Sequence, residues 1–246
     1  MKHLTKFETT AAYEAAELIL PNVSLTVDNN TVHYNPLTPT PPTPTHDYVE
    51  IGGVKWATMN VGANSITDTG LYFQWGDTQG YTADQVGSGE GQKYFGEEDC
   101  IYYSDGGYTK YNEGDSKITL EASDDAVTAA WGGGWRMPTV SEFIALGEAV
   151  NTAWTADYEG SGVSGLVCTD KTDSSKVLFF PACGCVYYGS VYDVGNNGNC
   201  WSSSLAADYG GSSACNLFFS NDYMDWQDDH GDRYYGFPVR GVLAEN

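Results

Sequence analysis

The chain has 246 residues, with 11 Lys and Arg against 33 Asp and Glu, a formal net charge of −22 and a pI near 4.1. A charge this negative argues against nucleic acid and anionic membrane surfaces as partners, because both would repel it. A mean hydropathy of −0.36 and the lack of any run of about 20 apolar residues exclude a helical membrane span. With 41% hydrophobic and 14% aromatic residues, general disorder is ruled out as well.

Residues 1–35 read as a small helix followed by a hairpin. The longest apolar run near the start, Ala15 to Leu20, carries Glu17 and is too short for a signal-peptide core, so secretory export is not expected. Thr9 and Thr10 stand as capping residues before Ala11, Ala12, Ala15, Ala16, Leu18 and Ile19, and Pro21 stops the helix. Val23, Leu25 and Val27 alternate with Ser24, Thr26 and Asp28; Asn29-Asn30 makes a turn and Thr31 to Tyr34 return. So short a unit buries little surface alone. It is expected to be an attachment or oligomerisation segment, the alternative being an extension packed on its own domain. Residues 36–45 hold five prolines, a stiff polyproline II spacer of about 3 Å per residue.

Residues 46–246 form the head, of α+β class. Predicted strands are Tyr48–Ile51, Lys55–Asn60, Leu71–Trp75, Val177–Phe180 and Ala214–Phe219, set apart by Gly, Asn and Asp. A weaker helix is predicted over Ser123–Trp131. A stronger one opens after Pro138, with Thr139 as N-cap and Glu142 three residues on, a capping box, and buries Phe143, Ile144, Leu146 and Val150.

Little in the residues suggests catalysis. The six cysteines, Cys100, Cys168, Cys183, Cys185, Cys200 and Cys215, form no CxxC, and free thiols are favoured over zinc or three bridges. Cys183 and Cys185 would share a face if they lie on a strand. The adjacent pairs Asp124-Asp125 and Asp228-Asp229 would diverge on a strand and read as solvated acidic turns. No Ser-His-Asp pattern, phosphate-gripping loop or metal-binding His pair stands out. The chain is therefore expected to be no enzyme and to need no cofactor, although its acidic C-terminal loops could hold a structural Ca²⁺.

Several ordered blocks carry a family likeness. Val54–Ala63 (VKWATMNVGA), Gly70–Asp77 (GLYFQWGD), Trp131–Thr139 (WGGGWRMPT) with Glu142-Phe143, Phe180-Pro181-Ala182, Trp201–Ser204 (WSSS) and Gly236–Arg240 (GFPVR) span about 190 residues. Together they resemble the major-paralogous-domain proteins of gut and rumen bacteria. The resemblance implies a C-type lectin (formylglycine-generating-enzyme-like) fold with short irregular strands and one or two helices. Many such proteins are the variable proteins of diversity-generating retroelements, ligand binders on phages and bacterial surfaces. Leu4–Thr10 and Pro21–Val27 resemble N-terminal tags of gut-phage virion proteins. The Glu-Pro-Asn and Gln-Pro-Asp tripeptides of calcium-dependent sugar lectins are missing, and Trp226-Gln227-Asp228 only partly matches their Trp-Asn-Asp. Calcium-dependent sugar binding is therefore not expected.

Such retroelements replace adenines, mostly in AAC or AAT codons, which cannot then yield Lys, Glu, Gln, Met or Trp. None of the eight lysines and thirteen glutamates lies between Val177 and Ala244, yet Asp occurs there seven times. A glycine-rich, loop-rich segment would shed some Glu by itself. Lys is tolerated in loops, so the codon account is preferred. Four of the six cysteines lie there too, within reach of the same codons.

Matching the segment to the family pattern implies a variable region of about 183–240 and a diversified ligand-binding set. Its first members are Cys185, Tyr187, Tyr192, Asp193, Asn197, Asn199 and Cys200, followed by Asp208, Tyr209, Ser213, Cys215 and Phe218. Asn221, Tyr223, Asp225, Asp228, Asp229, His230, Asp232, Tyr234 and Tyr235 complete it. Tyr192, Tyr223, Tyr234 and Tyr235 are the preferred anchors, since tyrosine offers large amphipathic contact area at low entropic cost. Trp201, Ser202, Ser203, Ser204, Leu217, Phe219, Trp226, Gly236, Phe237, Val239 and Arg240 fall to the scaffold, Arg240 pairing with a buried carboxylate or carbonyl.

The expected partners are a bacterial surface protein or glycan for the head and a virion component for the N-terminal segment. Tag and spacer together imply avidity, hence a homo-oligomer such as a trimer. Made in the bacterial cytoplasm, the protein would reside on the phage surface or tail. Two alternatives stand beside this: a structural decoration protein of the same fold without a specific receptor, and a cysteine-dependent oxidase-like enzyme.

Overall fold

The computed structural model describes residues 23–28, 31–36, 46–207 and 210–244, the first two ranges by their backbone alone. The chain divides into two units, Met1–Pro44 and Thr45–Asn246. In the first, β1 (Val23–Asp28) and β2 (Thr31–Pro36) pair antiparallel, with Leu25 opposite Tyr34 and Val27 opposite Val32. This is the hairpin that the alternation predicts. The helix expected between Thr9 and Pro21 and the proline spacer at 37–45 lie outside the described residues.

The second unit mixes short antiparallel strands with two helices, an α+β arrangement. It runs β3 (Tyr48–Ile51), β4 (Val54–Asn60), the minor hairpin β5 (Tyr103–Ser104) and β6 (Gly107–Tyr108), α1 (Ala126–Trp131), β7 (Trp135–Arg136) and α2 (Val140–Ala149). Then come β8 (Val150–Thr155), β9 (Gly165–Asp170), β10 (Val177–Pro181), β11 (Cys185–Tyr187) and β12 (Ser190–Tyr192). The last strands are β13 (Asn197–Leu205), β14 (Ser213–Ser220), β15 (Met224–Asp232) and β16 (Arg240–Leu243). A sheet of order β3-β4-β16-β7 joins the start of the unit to its end, and β10-β9-β8 and β13-β14-β15 form two more. Among the described residues no helix is long and apolar enough to cross a membrane.

Successive residues of a strand point to opposite faces, and β4 is covered on both. Trp56 joins Phe143, Leu146, Leu178, Phe219 and Val242 in one core, while Ala57 joins Trp75, Trp135, Trp201 and Phe237 in the other. Helix α2 forms where its capping box predicts: Thr139 Oγ1 accepts from Glu142 N, and the Glu142 carboxylate accepts from Thr139 N at 2.8 Å. Phe143 and Leu146 are buried, each contributing roughly 1.5–3 kcal/mol; Ile144 is half-buried. Val150 does not extend the helix but opens β8.

Two expectations fail for reasons of packing. The segment Leu71–Trp75 is extended but forms no strand, because each of its amides finds a different partner. Leu71 N donates to Val61 O, Tyr72 N to Tyr81 O, Phe73 N to Phe237 O and Trp75 N to Arg233 O. Asp124 and Asp125 are not solvated. Asp124 closes a 3₁₀ turn and accepts from Lys110, Tyr102 and Tyr111. Asp125 caps α1, accepting from Thr128 N and from Met137 N, both at 2.8 Å. Both acids are buried, Asp124 because side chains converge on it and Asp125 because it organises backbone, and α1 begins three residues later than the predicted helix.

The sequence blocks meet in space. Trp75 Nε1 donates to Ser202 O at 2.8 Å, and Trp201 Nε1 to Phe73 O at 2.9 Å. Ser203 binds Pro138 O through its amide at 2.7 Å, and Ser204 Oγ accepts from Val140 N at the start of α2. Arg240 is 0% exposed. Its Nε donates to Asn60 Oδ1 at 2.9 Å, and Nη1 and Nη2 to the carbonyls of Ala57 and Phe179 at 3.0 Å. The expected partner class is therefore met by carbonyl groups, and among the described residues no carboxylate lies in ion-pair range of it.

Arg240→Met keeps the bulk but strands three buried acceptors, and is expected to cost roughly 3 kcal/mol, read as a lower urea midpoint. A second prediction concerns pH. Burial alone would raise the Glu142 carboxyl, but bonds from Arg136 at 2.6 and 2.7 Å and from Thr139 hold it below its ordinary value of 4.5. Such a group stabilises the fold above its unfolded value and loses that contribution as pH falls through the folded one. Glu142→Gln is expected to cost about 1–2 kcal/mol at pH 7, the gap to wild type closing in urea melts below about pH 4.

Candidate functional site

The segment expected to be variable opens with the hairpin β11–β12, where Cys185 lies opposite Tyr192 and Tyr187 opposite Ser190. Tyr188 and Gly189 close it with φ of 47° and 73°, and positive values at both positions are what a type I′ loop requires. Glycine takes that conformation freely; tyrosine takes it under strain. Backbone bonds from Tyr188 N to Phe95 O and from Gly189 N to Tyr94 O hold the tip. At the base, Gly184 has φ of 67°, and a Cβ there would stand 1.9 Å from Tyr192 O. Val186 and Gly236 exchange backbone bonds of 2.7 and 3.0 Å. The hairpin is pinned at both ends.

A row of rings results. Tyr192 stacks on Tyr187 at 4.2 Å between centroids, Tyr187 approaches Tyr235 at 5.2 Å, and Tyr235 meets Tyr234 edge-on at 4.8 Å. Tyr234 lies 5.5 Å from Tyr188, which lies 6.0 Å from Tyr94. Behind the row runs a buried polar chain. Asn199 Nδ2 donates to Gly184 O at 3.2 Å, and Asn216 Nδ2 to Asn199 Oδ1 at 3.3 Å and Asp228 Oδ2 at 3.4 Å. One contact per strand thus ties the hairpin base to β13, β14 and β15.

The proposed residues divide by exposure. Tyr192, Asp193, Asn221, Tyr223 and His230 are exposed; Cys185, Tyr187, Asn197, Phe218, Asp225, Asp228, Asp229, Asp232 and Tyr235 are half-buried. Asn199, Cys200, Ser213, Cys215 and Tyr234 are buried, which removes them from direct contact with a ligand. For Ser213 and Cys215 the reason is that β14 is a central strand covered on both faces, while Asn199 and Cys200 lie in the buried run of β13. Cys200 packs with Leu217 and Phe219, Cys215 Sγ points at Leu205 O, and Tyr234 lies beneath Tyr188. Asp208 and Tyr209 lie outside the described residues. Tyr223, 60% exposed, stands apart in the β14–β15 turn beside Phe218 and Asp225. Sequence reasoning missed Tyr188 (51% exposed) and Tyr94. The Tyr188-Gly189 dipeptide between two short alternating runs was the available signal for the first; nothing local marks the second.

Asp228 and Asp229 do not diverge as expected. β15 loses regular register opposite Ala214 and Asn216, and one ligand atom each from Asp228, Asp229 and His230 falls within 4.8 Å of the others. Two carboxylates and an imidazole suit a transition metal better than Ca²⁺, which takes oxygen ligands. Arg233 is 1% exposed, donating to Gly211 O at 2.9 Å with its guanidinium 4.0 Å from the Tyr108 ring. With Arg240 also buried, residues 183–240 present carboxylates to solvent and neither lysine nor arginine among the described residues.

All six cysteines are free thiols. Burial pushes Cys183 and Cys200 up to about 12, and Cys100, Cys185 and Cys215 to about 11. Burial raises Cys168 as well. At neutral pH these groups stay protonated, and the thiol is a poor nucleophile. Cys183 and Cys185 do not share a face, because Gly184 breaks the extended run between them. Cys183 packs with Tyr72 and Phe95, whereas Cys185 lies against the Trp201 core. No family model, curated protein or solved structure matches this chain. Iodoacetamide at pH 8 is expected to modify at most one thiol of the folded protein, Cys185, and all six in guanidinium, as counted by intact mass.

Proposed function

We propose that this chain is a receptor-recognition protein of C-type-lectin-type fold that displays a diversified binding face on a phage particle and engages a bacterial surface molecule. One observation carries the reading. A strained hairpin, pinned at tip and base, anchors a row of tyrosine rings, exposed at Tyr188 and Tyr192, in a segment that lacks Lys and Glu. A rigid aromatic surface binds well because little side-chain entropy remains to be lost. Tyr192 and Tyr223 stand at two separate ends of the candidate set, and both are exposed, so each can be truncated without opening a core.

The decoration-protein alternative gives no reason for Tyr188 and Tyr192 to stand exposed on one hairpin. The oxidase alternative calls for a thiolate, and burial disfavours every thiol here. Fluorescently labelled full-length protein is expected to bind its host cells saturably. Tyr192→Ala and Tyr223→Ala together should weaken that binding at least tenfold, or about 1.4 kcal/mol, while Tyr48→Ala on β3 leaves it unchanged. Binding that ignores the two tyrosines would favour the decoration protein.

A further inference from the structure

We infer that the tyrosine row between Asp193 and Asp232 is a site for an arginine-bearing polypeptide segment. The inference rests on the reading of this face as a binding surface and specifies its ligand. Three observations lead to it. First, the row ends in exposed faces at Tyr192 on one side and at Tyr188 and Tyr94 on the other, with Tyr187, Tyr235 and Tyr234 packed between. A guanidinium stacks on such faces by cation–π attraction.

Second, carboxylates flank the row. Asp193 follows Tyr192 directly, and Asp232 meets Tyr235 twice, its backbone carbonyl accepting from Tyr235 N at 2.8 Å and its side chain in hydrogen-bond contact with the Tyr235 side chain. Both acids act electrically on the rings. Burial first, and after it the hydrogen bond from Tyr188 and the charge of Asp232, push the Tyr234 hydroxyl above its ordinary value. Burial, then the neighbouring Cys185 and Tyr192, then Asp193, do the same to Tyr187. An arginine fork between a ring and a carboxylate satisfies both at once.

Third, among the described residues no arginine or lysine of the protein's own is recorded in that role. The segment's two arginines are buried and donate to carbonyl groups of the protein itself. Lys93, which follows the nearby Gln92, is engaged with Asp99 O at 2.8 Å. The net charge of −22 draws a cationic segment in and repels an acidic one. The two acids can accept from saccharide hydroxyls, but only a cationic ligand draws on their charge.

The probes are fluorescein-labelled hexaarginine, hexaglutamate and a neutral Gly-Ser hexapeptide, titrated into the full-length protein in 150 mM salt. Hexaarginine alone is expected to bind. Asp193→Asn with Asp232→Asn should lower its affinity at least tenfold; Asn is the residue best suited to the positive φ of 59° at Asp193. Glu50→Gln with Glu113→Gln removes the same charge at exposed positions on other elements and should change affinity less than twofold. Tyr188→Phe should retain binding and Tyr188→Leu lose it. Equal loss in both double variants would show net charge alone at work, and failure of hexaarginine to bind would likewise overturn the site. Cells bound through Tyr192 and Tyr223 without any effect of the Asp193 and Asp232 substitutions would overturn this inference and leave the receptor-recognition reading standing. Hexaarginine bound as expected by a protein that binds no cells would do the reverse.

Discussion

The Arg240 guanidinium sets the terms for the rest of the head. A charge with no solvent access and no carboxylate beside it is tolerable only if every N–H finds a well-placed acceptor. Those acceptors come from β4, from the Asn60 side chain at its end, and from β10, so the first strands, a middle strand and the last strand must meet at one point. The stacked ring of Phe180, 4.6 Å from the guanidinium carbon, covers its face. Burial still presses on the charge and lowers the group to about 10. Around it β16 pairs with β4 across a register shift, with Arg240 opposite Asn60 and Val242 opposite Trp56.

From that fixed point rigidity passes outward through polar links more than through sheet area. The two indole N–H groups of Trp75 and Trp201 bind each other's neighbouring backbone, and the serine run fastens β13 to the start of α2. Asn199 and Asn216 then carry the connection to Gly184 and Asp228. A two-strand hairpin is marginal by itself. Here it gains definition from anchors at both ends, which is what allows a tyrosine to sit at positive φ in its loop. Strain at an exposed residue persists where the surroundings over-determine it.

Much of the frame was legible in the linear chain because its cues are local. The Thr139–Glu142 box specified α2, the alternation of Val23, Leu25 and Val27 specified a hairpin, and runs of apolar residues marked five strands, of which four formed. Leu71–Trp75 misled because an extended, fully buried segment reads as a strand whether or not its amides share one partner. The candidate site was legible in composition but not in membership. In the linear chain Asn199, Cys200, Ser213 and Cys215 look no different from the candidates that reach solvent, yet strand placement buries them.

The sequence by itself determined the charge, the local elements and the amino acids available for display, since these depend only on residue identity and near neighbours. Tertiary structure alone decided which of them reach solvent. Tyr94 joins the row because Gly189 hydrogen-bonds across to it from 95 positions away, and Tyr234 is covered because Tyr188 turns back over it. Exposure depends on what every other segment does, and contacts between distant segments leave no periodicity for a linear reading to find.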